Sequence, residues 1–536
     1  MKRFLAALLA VAALVVTSSA GADPMRYGAA DDWPKFHPCG DVWWTSATDI
    51  GYQDLRLTVQ WDASAPATIP YQQNIQDAID CAKLNNIRPI LALYPSRPDA
   101  IGAAPELQAQ FASFVALVGQ AFPDVKDFIV GNEPNVNRFW QPQFVGGKDA
   151  SAVDYEHTLA QSYDALKAVR PDSLVWGPAI SSRGNDNANA ASNPSHSPVW
   201  FIKDMGDAYK ASGGTTPIFD EFNLHPYPPT QDTDPFSKKF LWPQAGAADL
   251  DRIKQALWDA FNGSGQPTVT EQVGGATTAA FEAPQRLPIN LDEAGEQTVV
   301  TADEGPYDGT PENVAPISEA EQSAHQVELA EIGACDPAVN TVLWFPLIDD
   351  TLISNGFQSG SLFAGFARKQ SYQAMKDKIA SARGNCQGGV PGVPQAWRHT
   401  THVIGAVGIF GGPGTAPGSQ PVDKRTRPTG PWTSLTAAET PTYKPTLLKV
   451  RAPAKAGVKI VPSTAKIVAT LSGRARANFR PGLHFRFSKR LAVGYYRFSI
   501  TLRAVTNPLR STTLVSKSFT VGKPKARRTK APSRKH

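Results

Sequence analysis

From Arg26 to Ala382, short apolar runs alternate with segments whose apolar residues recur at helical spacing. The runs are RYGAADDW, DLRLTVQW, RPILALYP, DFIVGNEP, SLVWGPAI, FDEFNLHPY, LPINLDEAG and NTVLWFPL. Between them, Ile75, Ala78, Ile79 and Ala82 form one one-sided stripe, and Leu250, Ile253, Leu257 and Phe261 form another. Nearly all-apolar strands separated by amphipathic helices predict a parallel sheet covered by helices. Eight such units close on themselves, so the pattern predicts an α/β fold, a (β/α)8 or TIM barrel, spanning 23–386.

The pattern changes on either side of this region. Lys2 and Arg3 precede the apolar run Phe4 to Val16 and the small residues around Ala20-Gly21-Ala22, which predicts a signal peptide over 1–22. Residues 387–440 are rich in Gly, Pro, Ser and Thr and predict a linker. Over 441–522, TLLKVRA, KIVATLS, HFRFS, GYYRFSITLRAV and SKSFTV alternate apolar with polar or basic positions, predicting a small C-terminal β-sandwich. The final residues, 523–536, offer nothing to anchor them in a core and predict a disordered basic tail.

Charge sharpens this division. The net charge of +5 hides 23 Lys or Arg and no Asp or Glu between Pro441 and His536, whereas the first 440 residues carry 30 basic against all 48 acidic side chains. Asymmetry of that size concerns partners rather than fold. The basic module is expected to meet a polyanion such as an anionic cell wall or acidic glycan, and the leader implies a protein that is secreted or cell-wall associated, with no membrane span once the signal is removed. Four cysteines in an exported chain permit two disulfides. The seventh and eighth helices both return to the bottom of the barrel, so Cys335 and Cys386 are the expected pair. Cys39, in a top loop, and Cys81, low on the second helix, are expected to lie too far apart to bond.

Barrel enzymes build their sites where strands end, and four strands end in polar residues. The second carries Arg56, the fourth runs into Asn132-Glu133-Pro134, the sixth into His225-Pro226-Tyr227 and the seventh into Asp292-Glu293. Strands four and seven face each other across an eight-stranded ring, so Glu133 and Glu293 supply the two facing carboxyl groups that glycoside hydrolysis requires.

FIVGNEPN, LHPY, LPINLDEAGEQT and LWFPL, in register with the other strands, resemble the retaining glycoside hydrolases of clan A over most of Tyr27 to Ala382. The resemblance implies a secreted hydrolase that cleaves β-linked glycans by double displacement, with a polysaccharide or oligosaccharide as substrate. It implies Glu133 as acid/base, Glu293 as nucleophile, Asn132 as partner of the sugar 2-hydroxyl, and Arg56 and Tyr227 as the groups that keep the nucleophile ionised. His225 matches the site-wall position and Trp344 the sugar platform. The nucleophile motif departs from the pattern: Ala294 stands where such proteins carry an aromatic residue, and Glu296 where they carry an apolar one.

A rival nucleophile is Glu271 in TVTEQVGG, but choosing it would strand LPINLDE inside a loop. Of the aromatics near the top loops, Trp33, Phe36, Trp43, Trp44, Trp61, Phe139 and Trp140, about half are expected to pack in the core rather than meet sugar. Asp349-Asp350 is open to a turn, a calcium ligand or a sugar contact. The sequence carries no metal-ligand cluster, phosphate loop or dinucleotide fingerprint, so neither metal nor cofactor is expected, and nothing beyond the basic tail suggests nucleic acid. The alternative from another class is a barrel without turnover that binds carbohydrate or the cell envelope.

Overall fold

A computed structural model describes residues 25–382, apart from 238–239, 270–286, 311–313 and 355, together with the backbone of short strands between 408 and 521. The signal peptide expected over 1–22, Glu271, Cys386, the tail and nearly all of the linker lie outside the described residues.

All eight expected strands form. They are β1 (Arg26–Ala30), β2 (Asp54–Trp61), β3 (Arg88–Pro95), β4 (Asp127–Val130), β5 (Leu174–Ser181), β6 (Glu221–His225), β7 (Ile289–Ala294) and β8 (Val339–Trp344). Each pairs in parallel with the next and β8 closes on β1, giving a closed barrel. The helices α1 (Val42–Ile50), α2 (Gln72–Leu84), α3 (Pro105–Ala121), α4 (Ser151–Val169), α5 (Pro198–Ala211), α6 (Leu250–Phe261), α7 (Glu319–Cys335) and α8 (Gln370–Ala382) follow the strands in turn. Local chemistry sets their ends. Asp41 caps α1 by accepting from the amides of Trp43 and Trp44, and Ser318 and Glu321 form a reciprocal capping box at α7. The stripes read from the sequence are the buried faces: Ile75, Ala78, Ile79 and Ala82 on α2, and Leu250, Ile253, Leu257 and Phe261 on α6.

The strands are buried on both faces, which is why they read as apolar runs rather than alternating ones. One set of side chains packs between sheet and helices. A second set, Ala30, Ile90, Ala92, Ile129, Trp176, Ala179 and Leu343, fills the barrel interior. Below that plug is a floor of charge built from strand-initiating residues. Asp54 accepts from Arg26 Nε at 2.6 Å, from Arg88 Nη2 at 2.7 Å and from Thr341 Oγ1 at 2.8 Å, and Glu221 accepts from Asn290 Nδ2 at 2.6 Å.

One disulfide expectation is overturned: Cys39 and Cys81 are bonded, with Cα atoms 5.5 Å apart. The loop after β1 does not stay over the mouth. Its 3-10 turn, Trp33–Lys35, packs against α2 and carries Cys39 down beside the third turn of that helix. The expected Cys335–Cys386 pair includes a residue outside the described set.

In the C-terminal region, the backbone segments Thr442–Val450, Lys466–Thr470, Gly473–Arg474, Gly494–Arg503, Ser511–Val515 and Phe519–Val521 pair antiparallel into one six-stranded sheet. Gly408–Ile409 pairs separately with His484–Phe485, and the described residues hold no second layer that would complete the expected sandwich. No described helix is long and apolar enough to cross a membrane.

Candidate active site

The strand ends converge as the sequence implies. Arg56 is the third residue of β2 and points into the barrel, 5% exposed. The chain leaves β4 through Gly131, whose φ of +91° belongs to the left-handed region and whose missing Cβ would sit 2.7 Å from the Tyr155 ring. That turn delivers Asn132 and then Glu133, which itself holds a φ of +38° while its amide donates to Ala179 O at 2.6 Å. Positive φ at a bulky non-glycine residue marks backbone held in place by its surroundings.

A bulge does the corresponding work on β7. Val342 pairs with Leu291 and Trp344 with Ala294, so both Asp292 and Glu293 face the single Leu343. The extra residue breaks strict alternation and turns two consecutive carboxylates toward the barrel axis. Asp292 is fully buried and Glu293 retains 16% side-chain exposure above it.

Glu293 is gripped from two sides. Arg56 Nη1 donates to its Oε2 at 2.7 Å and the Tyr227 hydroxyl donates to its Oε1 at 3.0 Å. Arg56 Nη2 also donates to Asn132 Oδ1 at 2.6 Å, which binds the second strand to the fourth. His225 stands between the facing carboxylates, with Nδ1 3.0 Å from Glu133 Oε1 and 3.8 Å from Glu293 Oε2.

The charges decide protonation. Burial pushes Glu293 upward, but the positive charges of His225 and Arg56 outweigh it and hold the carboxyl below its ordinary value. Burial pushes His225 down, yet Glu293 and Asp292 overcome it and raise the imidazole to about 10. Burial and the negative charge of Glu293 raise the Tyr227 phenol, so it remains a donor.

Two expectations resolve differently from the sequence. Trp344 does not line the mouth. It is 1% exposed and stacks on Tyr27 and Tyr52 between the sheet and its helices, because β8 alternates and Leu343 takes the inward position. The next inward residue is Phe345, half-buried and packed edge-on to Phe357 at 4.9 Å. Strand alternation counted from Leu343 would have found it. Asp292 was read at this strand end without a role, since no sequence signal announces the bulge that turns it inward beside Glu293.

Of the top-loop aromatics, Trp43, Trp44, Trp61 and Trp140 are core residues, while Trp33 and Phe139 are half-buried and Phe36 is exposed. Asp349 is neither exposed nor aimed at the mouth. It accepts from Lys369 Nζ, the Tyr307 hydroxyl and the Gly360 amide, each at 2.8 Å, and so ties loops together. Among the described residues, no group of three or more His, Cys, Asp or Glu side chains is arranged to hold a metal ion.

No protein-family profile matches the chain, and no curated protein does. Among solved structures it is similar to a family 39 glycoside hydrolase of Bacteroides cellulosilyticus, at 14% identity over 92% of this chain and 81% of that one, with a TM-score of 0.43. It is also similar to a monomeric β-xylosidase of Caulobacter crescentus, at 14% identity over 94% and 98% of the two chains with a TM-score of 0.40. A third similarity is to a β-glucosidase of Thermotoga maritima, at 12% identity over 68% and 98% with a TM-score of 0.42.

Proposed function

We propose that the chain is a retaining β-glycoside hydrolase in which Glu293 is the nucleophile and Glu133 the acid/base. One observation carries this: two carboxylates from opposite strands meet at a single ring nitrogen, His225 Nδ1, while only Glu293 is clamped by Arg56 and Tyr227. The shared nitrogen caps the separation of those two oxygens at the sum of its two contacts. That limit is only slightly above the start of the inverting range of about 6.5–9.5 Å, and it accommodates the retaining spacing of about 5–5.5 Å.

In the first step a Glu293 oxygen forms a bond to the anomeric carbon as the glycosidic C–O bond breaks, and Glu133 gives its proton to the departing oxygen. In the second step Glu133 takes a proton from water, whose oxygen displaces Glu293 from the anomeric carbon and restores both carboxyl groups. Arg56 and Tyr227 hold Glu293 anionic and oriented before attack. Asn132 has its carbonyl oxygen committed to Arg56, which leaves its amide N–H groups for the sugar 2-hydroxyl. Arg56, Asn132, His225 and Tyr227 are thus the supporting residues, and Phe345 takes the sugar-platform place that the resemblance gave to Trp344.

The test is the anomer released first from an aryl β-glycoside, followed by proton NMR. The β-anomer is expected; release of the α-anomer overturns the retaining mechanism, and absence of turnover across a panel of aryl β-glycosides overturns the hydrolase.

We further propose that the protein is exported, a reading supported by the leader expected over 1–22 and by the Cys39–Cys81 disulfide, which suits an oxidising compartment. We assign the basic module at 441–536 to retention on an anionic cell wall or acidic glycan. Deleting it should leave turnover of small soluble glycosides within about two-fold and abolish retention that 1 M salt disrupts, since the screening length falls there to about 3 Å. Retention that persists in 1 M salt contradicts an electrostatic anchor.

A further inference from the structure

Asp292 is a buried carboxylate, and among the described residues neither of its oxygens has a hydrogen-bond partner. Buried anions are paired or costly, and the groups near this one belong to the site. Arg56 Nε lies 3.6 Å from Asp292 Oδ2, and His225 Nε2 lies 3.5 Å from the same oxygen. Neither of those nitrogens has another hydrogen-bond partner. The β7 bulge puts this carboxylate directly beneath Glu293, so the imidazole of His225 spans from Asp292 on one nitrogen to Glu133 on the other.

We propose that Asp292 is a positioning residue, whose negative charge holds His225 as an imidazolium with Nε2–H turned toward it and Nδ1–H turned toward Glu133, and so orients the acid/base. This rests on the acid/base role proposed for Glu133.

The surrounding charges fit. The groups facing His225 and Asp292 are Arg56 from β2, Glu133 from the turn after β4, Glu293 from β7, the Tyr155 phenol from α4 and the Tyr227 phenol after β6. A neutral imidazole would leave Asp292 with Arg56 as its only cation, and that cation is already committed to Glu293 and Asn132. A cationic ring offers an N–H to each carboxylate, and the negative charges of Glu293 and then Asp292 raise His225 to about 10 despite burial. Asp292 acts on the nucleophile as well, since its charge opposes the lowering of Glu293.

Asp292→Asn keeps the shape and removes the charge. Two shifts of one sign follow. The imidazole loses an anion and releases its proton at lower pH, and Glu293 loses a repulsive neighbour and ionises at lower pH. The acid limb of the kcat/KM profile for aryl glycosides, which reports ionisation of Glu293, should therefore move to lower pH. Nitrogen-15 NMR of the His225 ring should show its titration midpoint falling by about one unit or more, the size of effect a nearby opposite charge exerts. A merely structural role predicts lost activity with the acid limb in place, and a folded Asp292→Asn variant with unmoved limb and midpoint overturns the proposal.

The wild-type ring offers a test that needs no variant: at pH 7.5 both its nitrogens should show the imidazolium signature, and a neutral ring overturns the proposal. Failure of the wild type to turn over any β-glycoside would refute the hydrolase reading while this NMR measurement still decides the state of His225.

Discussion

Two clusters of buried charge occupy the same barrel, one at the floor and one at the mouth, and burial leads to opposite protonation in each. At the floor, Glu221 is raised to about 7 chiefly by burial, with the Arg88 cation committed to Asp54. At the mouth, Glu293 is somewhat less enclosed and is held below its ordinary value, because His225 and Arg56 both act on it. The floor groups Arg26, Arg88, Asp54 and Glu221 find hydrogen-bond partners, whereas Arg56 Nε, His225 Nε2 and both Asp292 oxygens at the mouth do not. Among the described residues, the floor atoms of this network left without a partner, Asn223 Nδ2 and Asn290 Oδ1, belong to neutral amides rather than charged groups. The mouth carries unsatisfied charge where a substrate is expected to react.

Exchanging the two glutamates for glutamine breaks the comparison most sharply. Glu293→Gln should lower turnover by about 10⁴-fold or more, as removal of a nucleophile does, while Glu221→Gln should leave kcat nearly unchanged. Comparable losses in steady-state assays of the two variants would dissolve the distinction between floor and mouth. Glu133→Gln comes next, with a loss of about 10²–10⁴-fold. That loss should be greatest for glycosides whose leaving groups need protonation, and a plot of rate against leaving-group acidity reads it directly; a uniform loss would remove Glu133 from the acid/base role.

Stability should show the floor's signature. Glu221 has a folded value raised above its ordinary 4.5 to about 7, so its contribution is fully present below pH 4.5 and is lost as pH rises through 7. At about 1.4 kcal/mol per unit this amounts to on the order of 3 kcal/mol. Denaturant titrations of the wild type should lose that stability over the window, and Glu221→Gln should lose correspondingly less, since other raised carboxyls such as Asp149 and Glu156 titrate there too. The smallest effect concerns one hydrogen bond. Tyr227→Phe removes the donor to Glu293 Oε1 and should cost about 10-fold in kcat/KM, roughly the 1.5–3 kcal/mol of a bond to a charged group or somewhat less. Its acid limb should move to higher pH, since the ionised carboxylate has lost a donor.

The legibility of these features in the sequence follows the range of the forces that make them. Eight apolar runs separated by helical stripes give the barrel, because burial on both faces of a parallel strand is written locally. Strand order then places Arg56, Asn132, Glu133, His225, Tyr227 and Glu293 at one mouth. What the reading of the sequence missed turns on the placement of single residues. The β7 bulge adds one residue to the alternation and turns Asp292 inward, while on β8 an intact alternation buries Trp344 and gives its place to Phe345. Similarly, the Cys39–Cys81 bond depends on where one loop goes after leaving its strand, which composition and spacing do not record.

Covalent trapping is the most direct measurement of the central claim that Glu293 attacks the anomeric carbon. A 2-deoxy-2-fluoro β-glycoside with an activated leaving group slows the second step more than the first, so the glycosyl ester accumulates and can be located by peptide mass spectrometry. The account predicts one sugar per chain, carried by Glu293 and absent from Glu293→Gln. A sugar found on Glu271 instead, or an enzyme that turns over aryl glycosides without ever being labelled, would contradict it.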